Sequence, residues 1–484
     1  MAMLRRQPGA QPASPASTHP VDEVLRIDRT FLLGLQHVLA MYAGCVAVPI
    51  IVGGALGLDQ KIIALLINAD LLVAGAATFI QAAGVTRLFG ARLPVVTGAT
   101  FTAVPPMIAI GANYGMPAVY GSMLAAGVLG LLIAGPFSRL MRFFPPVVAG
   151  TVITVLGLSL IGAGVGLIAG HDASSPDYAK VSSLVIAGLV ILGIVLIQRF
   201  GPRWASQLAV FVALVVGTVA LIPAGMVDFG GVTEASWFGF SRPFLFGAPT
   251  FEIAAILSMC TVLLITYTET TADLIAIGEI VDKPATPTTV ERGLRTDGLA
   301  FLMAGFLNSF PDSTFVQNIG LLKMTRVKSR WVVAMTGVIL VFLGLIPKVG
   351  AIVAAIPGPV IGGAALLMFA LVATFGIQML RRVQLDNPSN TMIVSIGIAV
   401  GMLPVVAPSI YTKFSEGFQT VFGTPLTATV IVVFVLNLVL NGIKAHHASG
   451  TVDAFSDDAA PRVEPESLSP SPPQRESSPT SSGG

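Results

Sequence analysis

Charged residues are scarce in this chain of 484 residues: Asp, Glu, Lys and Arg make up 11% of it, whereas soluble domains carry about 25%. Cysteine is rarer still, and the only two, Cys45 and Cys260, both fall in apolar segments. They are too few for a disulfide framework or a metal site, and we expect both to be small core residues. The net charge of +2 gives no reason to expect a nucleic-acid partner. These scarcities exclude a large soluble domain.

Apolar residues fill most of the chain instead. It is 54% hydrophobic with a mean hydropathy of +0.84, and long apolar runs recur along it, for example at 181–197 and 331–346. A helix needs roughly 20 apolar residues to cross a bilayer. The sequence therefore predicts an all-α polytopic membrane protein, surrounded by membrane lipid, with about 14 transmembrane segments.

The distribution of basic residues predicts the orientation of these segments. With both termini placed in the cytoplasm, 22 of the 27 Lys and Arg residues fall on the cytoplasmic side. Cytoplasmic loops of membrane proteins carry such an excess of Lys and Arg. We therefore expect a multi-pass protein of the plasma (inner) membrane with both termini cytoplasmic.

Two short sequences recur at nearly the same offset. "GATFTAV" (98–104) matches "DSTFVQN" (312–318) at an offset of 214, and "PVVAG" (146–150) matches "PVIGG" (359–363) at 213. A duplicated unit of seven segments inserts its second copy upside down, as in many secondary transporters; chance likeness is the alternative. The predicted parts are a polar cytoplasmic N-terminus (1–29), a first seven-span repeat (30–225), an extracytoplasmic loop (226–249), a second seven-span repeat (250–446) and a disordered Ser/Pro-rich cytoplasmic tail (447–484).

The third and tenth segments are irregular. "LPVVTGATFTAVPPMIAIG" (93–111) contains glycine and a Pro-Pro pair, and "FPDSTFVQNIGLLKM" (310–324) is similarly broken. Non-helical backbone at membrane depth is tolerated where it is buried in protein or lines a cavity. We expect each segment to hold a short extended piece followed by a half-helix. The free N–H groups at the starts of half-helices suit a ligand rich in carbonyl oxygens.

Ionisable residues inside the segments are candidates for function, because a charge at a helix centre costs about 2.5–3.5 kcal/mol. Glu269 and Asp273 are four residues apart and share a helix face. A ligand N–H group or a proton would neutralise them, and a structural hydrogen-bond network is the alternative. Asp297 is either a buried proton-linked carboxylate or a solvated residue paired with Arg295 or Arg292.

Four further polar residues have open roles. His37 could orient a carboxylate or could be a satisfied core residue. Asp70 has no evident partner, and we assign it a structural role. The amides of Gln317 and Asn318 both donate and accept hydrogen bonds, which fits the edge of a planar heterocycle. Capping of the half-helix is the alternative, and it fits Asn318 better than Gln317.

Three motifs resemble one transporter family. "QNIGLLKMTR" (317–326) resembles the signature of the nucleobase–ascorbate transporters, or nucleobase:cation symporters: Gln, Glu or Pro, then Asn, any residue, Gly, four residues, Thr, and Arg, Lys or Gly. "GLQHVLAMYAG" (34–44) is similar to the first segment of that family and "ETTAD" (269–273) to its eighth. The similarity covers about residues 30–448, and it is to the bacterial xanthine and uric acid permeases in particular.

The resemblance implies 14 segments in two inverted seven-span repeats, with a core domain and a gate domain. Segments 5–7 and 12–14 would form the gate, through which a homodimer would assemble. The residues that the resemblance assigns are, for substrate binding, Glu269, Gln317, Thr100, Phe101 and Val316; for proton coupling or site architecture, Asp297, Asp273, His37 and Asn318; and for the rest of the motif, Gly320, Thr325 and Arg326.

The resemblance also implies a function. It predicts a secondary active transporter, not an enzyme, that imports an oxidised purine by proton symport with an elevator-like, alternating-access mechanism. Gln317 resembles purine-type members and Arg326 resembles uric acid and xanthine members, whereas Asp273 resembles the xanthine type, so both purines stay open. The alternatives are another nucleobase such as uracil, or an anion exchanger of the same general fold. We expect no cofactor, metal ion or catalytic residue, and sodium coupling stays open.

Overall fold

The computed structural model describes residues 19–140, 145–170, 175–176, 178–381 and 383–442, without the side chains of residues 139, 140, 203, 316, 317, 323 and 324. The predicted tail (447–484) and most of the predicted N-terminus therefore lie outside the described residues. Two strands, β1 (Thr97–Ala99) and β2 (Asp312–Thr314), accompany the helices. The helices are α1 Ile27–Ala55, α2 Gln60–Ala83, α3 Val104–Tyr114, α4 Met116–Leu140, α5 Pro146–Ala169, α6 Val181–Phe200, α7 Arg203–Gln207, α8 Ala209–Leu221, α9 Gly230–Glu234, α10 Ile253–Ile280, α11 Pro287–Leu307, α12 Val316–Thr325, α13 Arg330–Gly344, α14 Pro347–Ala354, α15 Gly358–Leu380, α16 Pro388–Val406, α17 Glu416–Phe422 and α18 Pro425–Asn441.

Many of these helices are long and apolar enough to cross a bilayer. Eight helices within the described residues pass by length and composition: α1, α2, α4, α5, α6, α10, α15 and α16. The count rises to ten if two bent pairs are each one span, namely α13 with α14, bent by 82°, and α17 with α18, bent by 76°. The chain is therefore a mostly helical, multi-span protein, as its hydropathy predicts.

The two broken segments meet at their strands. β1 pairs antiparallel with β2, with Thr97 opposite Thr314 and Ala99 opposite Asp312. The pairing continues on both sides, because Thr100 N donates to Pro311 O at 2.8 Å and Phe315 N donates to Val96 O at 2.9 Å. A 3-10 turn (Phe101–Ala103) leads from β1 into α3, and α12 follows β2. Each segment thus has the extended piece and half-helix that its sequence predicts.

Glycines let the helices around the strands approach closely. A Cβ atom at Gly337 of α13 would lie 2.6 Å from the carbonyl oxygen of Gly75 on α2. A Cβ atom at Gly127 of α4 would lie 3.0 Å from the carbonyl oxygen of Gly298 on α11. Small residues at helix contacts permit such approach inside a membrane, where packing rather than the hydrophobic effect drives association. The α2–α13 and α4–α11 pairs also hold the strands, since α2 contacts β1 and α11 contacts β2.

A second group of helices packs around α5 and α15. These two cross closely at Gly157, where a Cβ atom would lie 2.2 Å from the amide nitrogen of Ala373. Helices α6, α8, α16 and α18 surround them. The outer faces of α6 are apolar and exposed, as is expected of a helix in contact with lipid. Phe101, in the turn after β1, reaches this group and packs edge-to-face on Phe369 of α15 with 5.2 Å between ring centroids.

The segment before α1 docks on the ends of other helices. Val21 is fully buried, and Asp22 accepts hydrogen bonds from Arg330 Nε at 2.6 Å and Lys283 Nζ at 3.2 Å. Arg330 also donates to the carbonyl oxygen of Ala83 at the end of α2, at 2.7 Å. Partial burial raises the pKa of Asp22, but the two cations outweigh this effect, and the pKa lies below its usual value of 3.8.

This docking predicts a pH-dependent contribution to stability. A carboxylate whose pKa is lowered by folding stabilises the protein above its unfolded pKa, and the contribution is lost as the pH falls through the folded pKa. We expect Asp22→Asn to lower the stability by about 1 kcal/mol at pH 7, since the ion pairs are partly exposed. The difference from the parent should shrink below about pH 4. Thermal unfolding in detergent measures it, and Asp28→Asn, which removes only an exposed pair with Arg26, is the control.

Candidate functional site

Glu269 lies half-buried in the middle of α10, at the level of the broken segments. Its Oε1 atom accepts a hydrogen bond from Thr102 Oγ1 at 3.1 Å. Thr102 belongs to the 3-10 turn between β1 and α3, so the first broken segment orients this carboxylate. Sequence reasoning did not single out Thr102. The clue in the sequence was that a half-buried carboxylate needs a hydrogen-bond donor nearby, and Thr102 is a hydroxyl residue in the broken segment.

Asp273 lies one turn further along the same face of α10 and is also half-buried. Its carboxylate accepts a hydrogen bond from Thr314 Oγ1 on β2. Each of the two carboxylates is therefore held by a threonine from a different broken segment. Thr314 entered the sequence argument only as part of a repeat, and its role as a donor was missed. The arrangement places two acceptors side by side, facing the junction of the strands.

The turn before α3 and the start of α12 lie next to the strands. Thr100 Oγ1 accepts from Thr102 N at 3.2 Å and so caps the turn that precedes α3. Helix α12 begins after Phe315, whose side chain makes no capping bond. The first N–H groups of a helix have no helical acceptor and form its positive end. The side chains of Val316 and Gln317, predicted to contact substrate, lie outside the described residues.

Asp297 is buried inside the protein, on α11. Gln81 Nε2 donates to its Oδ1 at 3.4 Å and to the carbonyl oxygen of Gly293 at 3.1 Å. Arg295 pairs instead with Glu291, at 2.5 Å. Of the two interpretations left open by the sequence, the solvated pair with Arg295 is therefore wrong. Gln81, which links α2 to α11, was not predicted.

His37 and Asn318 contact each other between α1 and α12. Asn318 Nδ2 donates to the carbonyl oxygen of His37 at 3.1 Å and lies 3.0 Å from His37 Nδ1. Both residues are buried. The alternative that Asn318 caps the half-helix is therefore wrong, since its side chain instead ties α12 to α1.

The remaining motif positions lie at the other end of α12. Gly320 is exposed, and Thr325 Oγ1 donates to the carbonyl oxygen of Leu321 at 2.9 Å. Arg326 ends the helix in the left-handed conformation, with φ of 57°. This part of the motif forms the C-terminal end of α12, and its hydrogen bonds among the described residues do not involve Glu269 or Asp273.

The space beside Glu269 is small. A crevice of about 10 Å³ lies between α10, α5 and α18, lined by Glu269, Thr268, Val152 and Val430. That volume is close to the minimum for one water molecule, so a larger ligand requires these helices to separate. A roomier cavity of about 780 Å³ opens elsewhere, beside α9 and the start of α2, and no predicted site residue lines it. The hydrogen-bonded carboxylates, rather than cavity size, identify the candidate site.

Curated relatives match most of the chain. The nucleobase transporter PlUacP of Paenibacillus larvae is 41% identical over 413 residues, covering 85% of this chain and 95% of its own. The uric acid transporter UacT of Escherichia coli is 40% identical over 452 residues, covering 92% and 93%. The xanthine permease of Bacillus subtilis is 39% identical over 413 residues, covering 85% and 94%.

Solved structures share the fold at low identity. SLC26A9 matches with a TM-score of 0.59 and 14% identity, over 86% of this chain and 66% of that one. The transmembrane domain of the cyanobacterial bicarbonate transporter BicA matches with a TM-score of 0.54 and 14% identity, over 87% and 98%. The family model described as the Permease family matches residues 28–410. The chain therefore belongs to the Permease family, as its resemblance to the nucleobase:cation symporters predicted, and it is a transport protein rather than an enzyme.

Proposed function

We propose that this protein imports an oxidised purine, xanthine or uric acid, across the plasma membrane by proton symport. The observation that carries the proposal is Glu269, a half-buried carboxylate held by Thr102 where the two broken segments meet. Xanthine and urate are flat molecules with ring N–H donors and several carbonyl oxygens. A carboxylate acceptor beside the positive start of a half-helix is complementary to both kinds of group.

Each group of the substrate has a proposed partner. Glu269 accepts hydrogen bonds from ring N–H groups, while the Gln317 amide hydrogen-bonds to a facing carbonyl and N–H pair. Backbone groups around Thr100, Phe101 and Val316 bind the remaining oxygens at the starts of the half-helices. A proton on one of the buried carboxylates offsets the charge during the cycle, and Asp273 and Asp297 lie near enough to Glu269 to interact with its charge.

We propose 14 membrane segments in two inverted repeats, at 30–225 and 250–446, with both termini in the cytoplasm. Support comes from the ten spans counted with the bent pairs, to which α3, α8, α11 and α12 add four shorter or more polar segments. The packing is also reciprocal. Helix α1 contacts α12 and α13 as α10 contacts α3 and α4, and α2 packs on α13 as α11 packs on α4.

The proposed cycle is an elevator-like movement of two domains. The core consists of α1–α4 and α10–α14, and the gate consists of α5–α8 and α15–α18, through which two copies form a homodimer. The tight crevice between Glu269 and the gate helices supports a step in which the domains separate. One charge moved across 100 mV is worth about 2.3 kcal/mol, which sustains a roughly 50-fold gradient of substrate.

Another nucleobase, such as uracil, is the nearest alternative substrate. Anion exchange is the second alternative, because the solved structures of this fold include an anion transporter and a bicarbonate transporter. A carboxylate facing the ligand repels a small inorganic anion, whereas a purine offers it ring N–H donors, so Glu269 favours the purine. Those two structures are only 13–14% identical to this chain, a similarity that supports a shared fold but not a shared function.

Uptake into proteoliposomes tests the proposal. We expect saturable uptake of labelled xanthine or urate that a protonophore abolishes and that removal of sodium leaves unchanged. Labelled uracil, adenine, sulfate and bicarbonate are the comparison substrates. Uptake of sulfate or bicarbonate without uptake of a purine contradicts the proposed substrate, and uptake that requires sodium but ignores the protonophore contradicts proton coupling.

A further inference from the structure

A second pair of carboxylates lies behind the strands. Asp312 is the first residue of β2, and Asp70 lies in the middle of α2; both side chains are completely buried. The proposed transport mechanism uses neither of them. A buried carboxylate is costly unless it is paired, hydrogen-bonded or protonated. The partners of the two residues therefore decide their protonation.

The two carboxylates differ in their partners. Asp70 accepts a hydrogen bond from Cys45 Sγ at 2.7 Å on one oxygen and from Ser309 Oγ at 3.4 Å on the other. Asp312 has no hydrogen-bond partner on either oxygen among the residues that the structure describes. Donors stabilise an anionic carboxylate, whereas an unpartnered one is stable only when neutral. Asp70 is thus suited to carry the negative charge and Asp312 to carry a proton.

The two residues lie close enough to interact. Asp312 faces the same side of the strands as Thr97, because Thr97 pairs with Thr314, two residues from Asp312. Thr97 Oγ1 donates to the carbonyl oxygen of Ala74 on α2 at 3.5 Å, one turn from Asp70. Ser309, a donor to Asp70, precedes Asp312 by three residues. The charges of Asp70 and Asp312 repel each other, so both cannot easily be ionised together.

Other titratable groups around the pair are also acidic. From α11, Asp297 acts on Asp312 through its charge. From α10, Asp273 accepts a hydrogen bond from Thr314, two residues along the same strand. From α1, Cys45 contributes a thiol, and β1 contributes no ionisable side chain. No basic side chain of the described residues forms an ion pair with Asp70 or Asp312. A bound proton is therefore the means by which one of the two negative charges can be neutralised.

We propose that Asp312 carries an exchangeable proton with Asp70 as its anionic partner, forming a second protonation site separate from Glu269 and Asp273. A metal ion fits this site less well, because a thiol is a soft ligand. In addition, the described residues contain no group of three His, Cys, Asp or Glu placed to hold one. Strand β2 links the two sites, since Asp312 and Thr314 lie two residues apart and face the same side.

Loss of the proton would leave two anions behind the strand that positions Thr314. Repulsion between them would disturb β2 and, through Thr314, the carboxylate of Asp273. We therefore expect purine uptake by the parent protein to fall as the pH rises through the titration of Asp312, by up to about tenfold per pH unit. Asp312→Asn, which is permanently neutral and similar in shape, should lose less of its uptake than the parent at alkaline pH.

Infrared spectroscopy of the purified full-length protein at pH 7 tests the assignment directly. The carbonyl band of a protonated carboxylic acid, identified by its shift on labelling aspartate with ¹³C, should be present in the parent. One component of this band should disappear in Asp312→Asn and remain in Asp70→Asn, while a component from Asp273 or Asp297 would persist in both. A band of unchanged intensity in Asp312→Asn, or no band in the parent, overturns the proposal. So does loss of the parent's band on adding sodium, which would make the pair a sodium site.

The donor to Asp70 gives a second test, should Asp312→Asn not fold. Cys45→Ala removes one hydrogen bond from the anion, so the pair should hold its proton more tightly than in Cys45→Ser. We expect the alkaline midpoint of uptake to lie about one pH unit higher in Cys45→Ala. Equal midpoints overturn the proposal. The uptake test rests on the proposed transport function, whereas the infrared test does not. Failure of the transport proposal can therefore be distinguished from failure of the Asp312 assignment.

Discussion

Replacement of Glu269 by Gln is expected to weaken purine binding by at least about 100-fold and to abolish uptake. In the proposed complex the carboxylate accepts from two ring N–H groups, and hydrogen bonds to a charged group are worth about 1.5–3 kcal/mol each. An amide of the same shape loses the charge and turns an N–H group toward the N–H groups of the ring. Calorimetric titration of the purified protein with xanthine and urate measures the loss.

A glutamate at the start of the same helix provides the matched control. Glu252 is exposed and lies immediately before α10, far along the helix from Glu269. Glu252→Gln should bind purines as the parent does. Normal affinity in Glu269→Gln, or an equal loss in both variants, contradicts the assignment of Glu269 as the acceptor of the ring N–H groups.

Replacement of Gly337 by Val is expected to prevent stable folding. A Cβ atom there would lie 2.6 Å from the carbonyl oxygen of Gly75 and 2.7 Å from the amide nitrogen of Phe79. Both atoms belong to the backbone of α2, so no side chain can move aside and the helices must separate. Overpacking typically costs about 1–3 kcal/mol and occasionally more. We expect the upper end or beyond, seen as a lowered melting temperature and poor recovery from detergent.

A glycine on the outer surface distinguishes packing from a general effect of valine in a helix. A Cβ atom at Gly193 of α6 would have no heavy atom within 4 Å. Gly193→Val should therefore melt close to the parent protein. If Gly337→Val also melts with the parent, α2 and α13 are not in the close contact that holds β1.

Features set by local composition could be predicted from the sequence. Apolar runs placed the long helices, and the Pro-Pro pair and Pro311 marked the segments that break into β1 with α3 and β2 with α12. Glu269 and Asp273 were identified together, because a spacing of four residues puts two carboxylates on one helix face. Both cysteines were expected in the core: the side chain of Cys45 is fully buried, whereas Cys260 on α10 is only partly buried.

Features set by contacts between distant residues could not be predicted. Thr102 and Gln81 are unremarkable in sequence, and they become donors to Glu269 and Asp297 only when α10 and α11 pack beside the turn after β1 and beside α2. Asp70 lacked an evident partner because its donors lie 25 and 239 residues away along the chain. The register that places Asp312 opposite Ala99 likewise depends on pairing across more than two hundred residues.

Determination of the structure with xanthine or urate bound tests the central claim most directly. The account predicts a purine lying between the starts of α3 and α12, with its ring N–H groups within hydrogen-bond distance of the Glu269 carboxylate. The helices α5 and α18 should lie further from α10 than they do around the present 10 Å³ crevice. A purine bound instead in the 780 Å³ outer cavity, or bound without contact to Glu269, would contradict it.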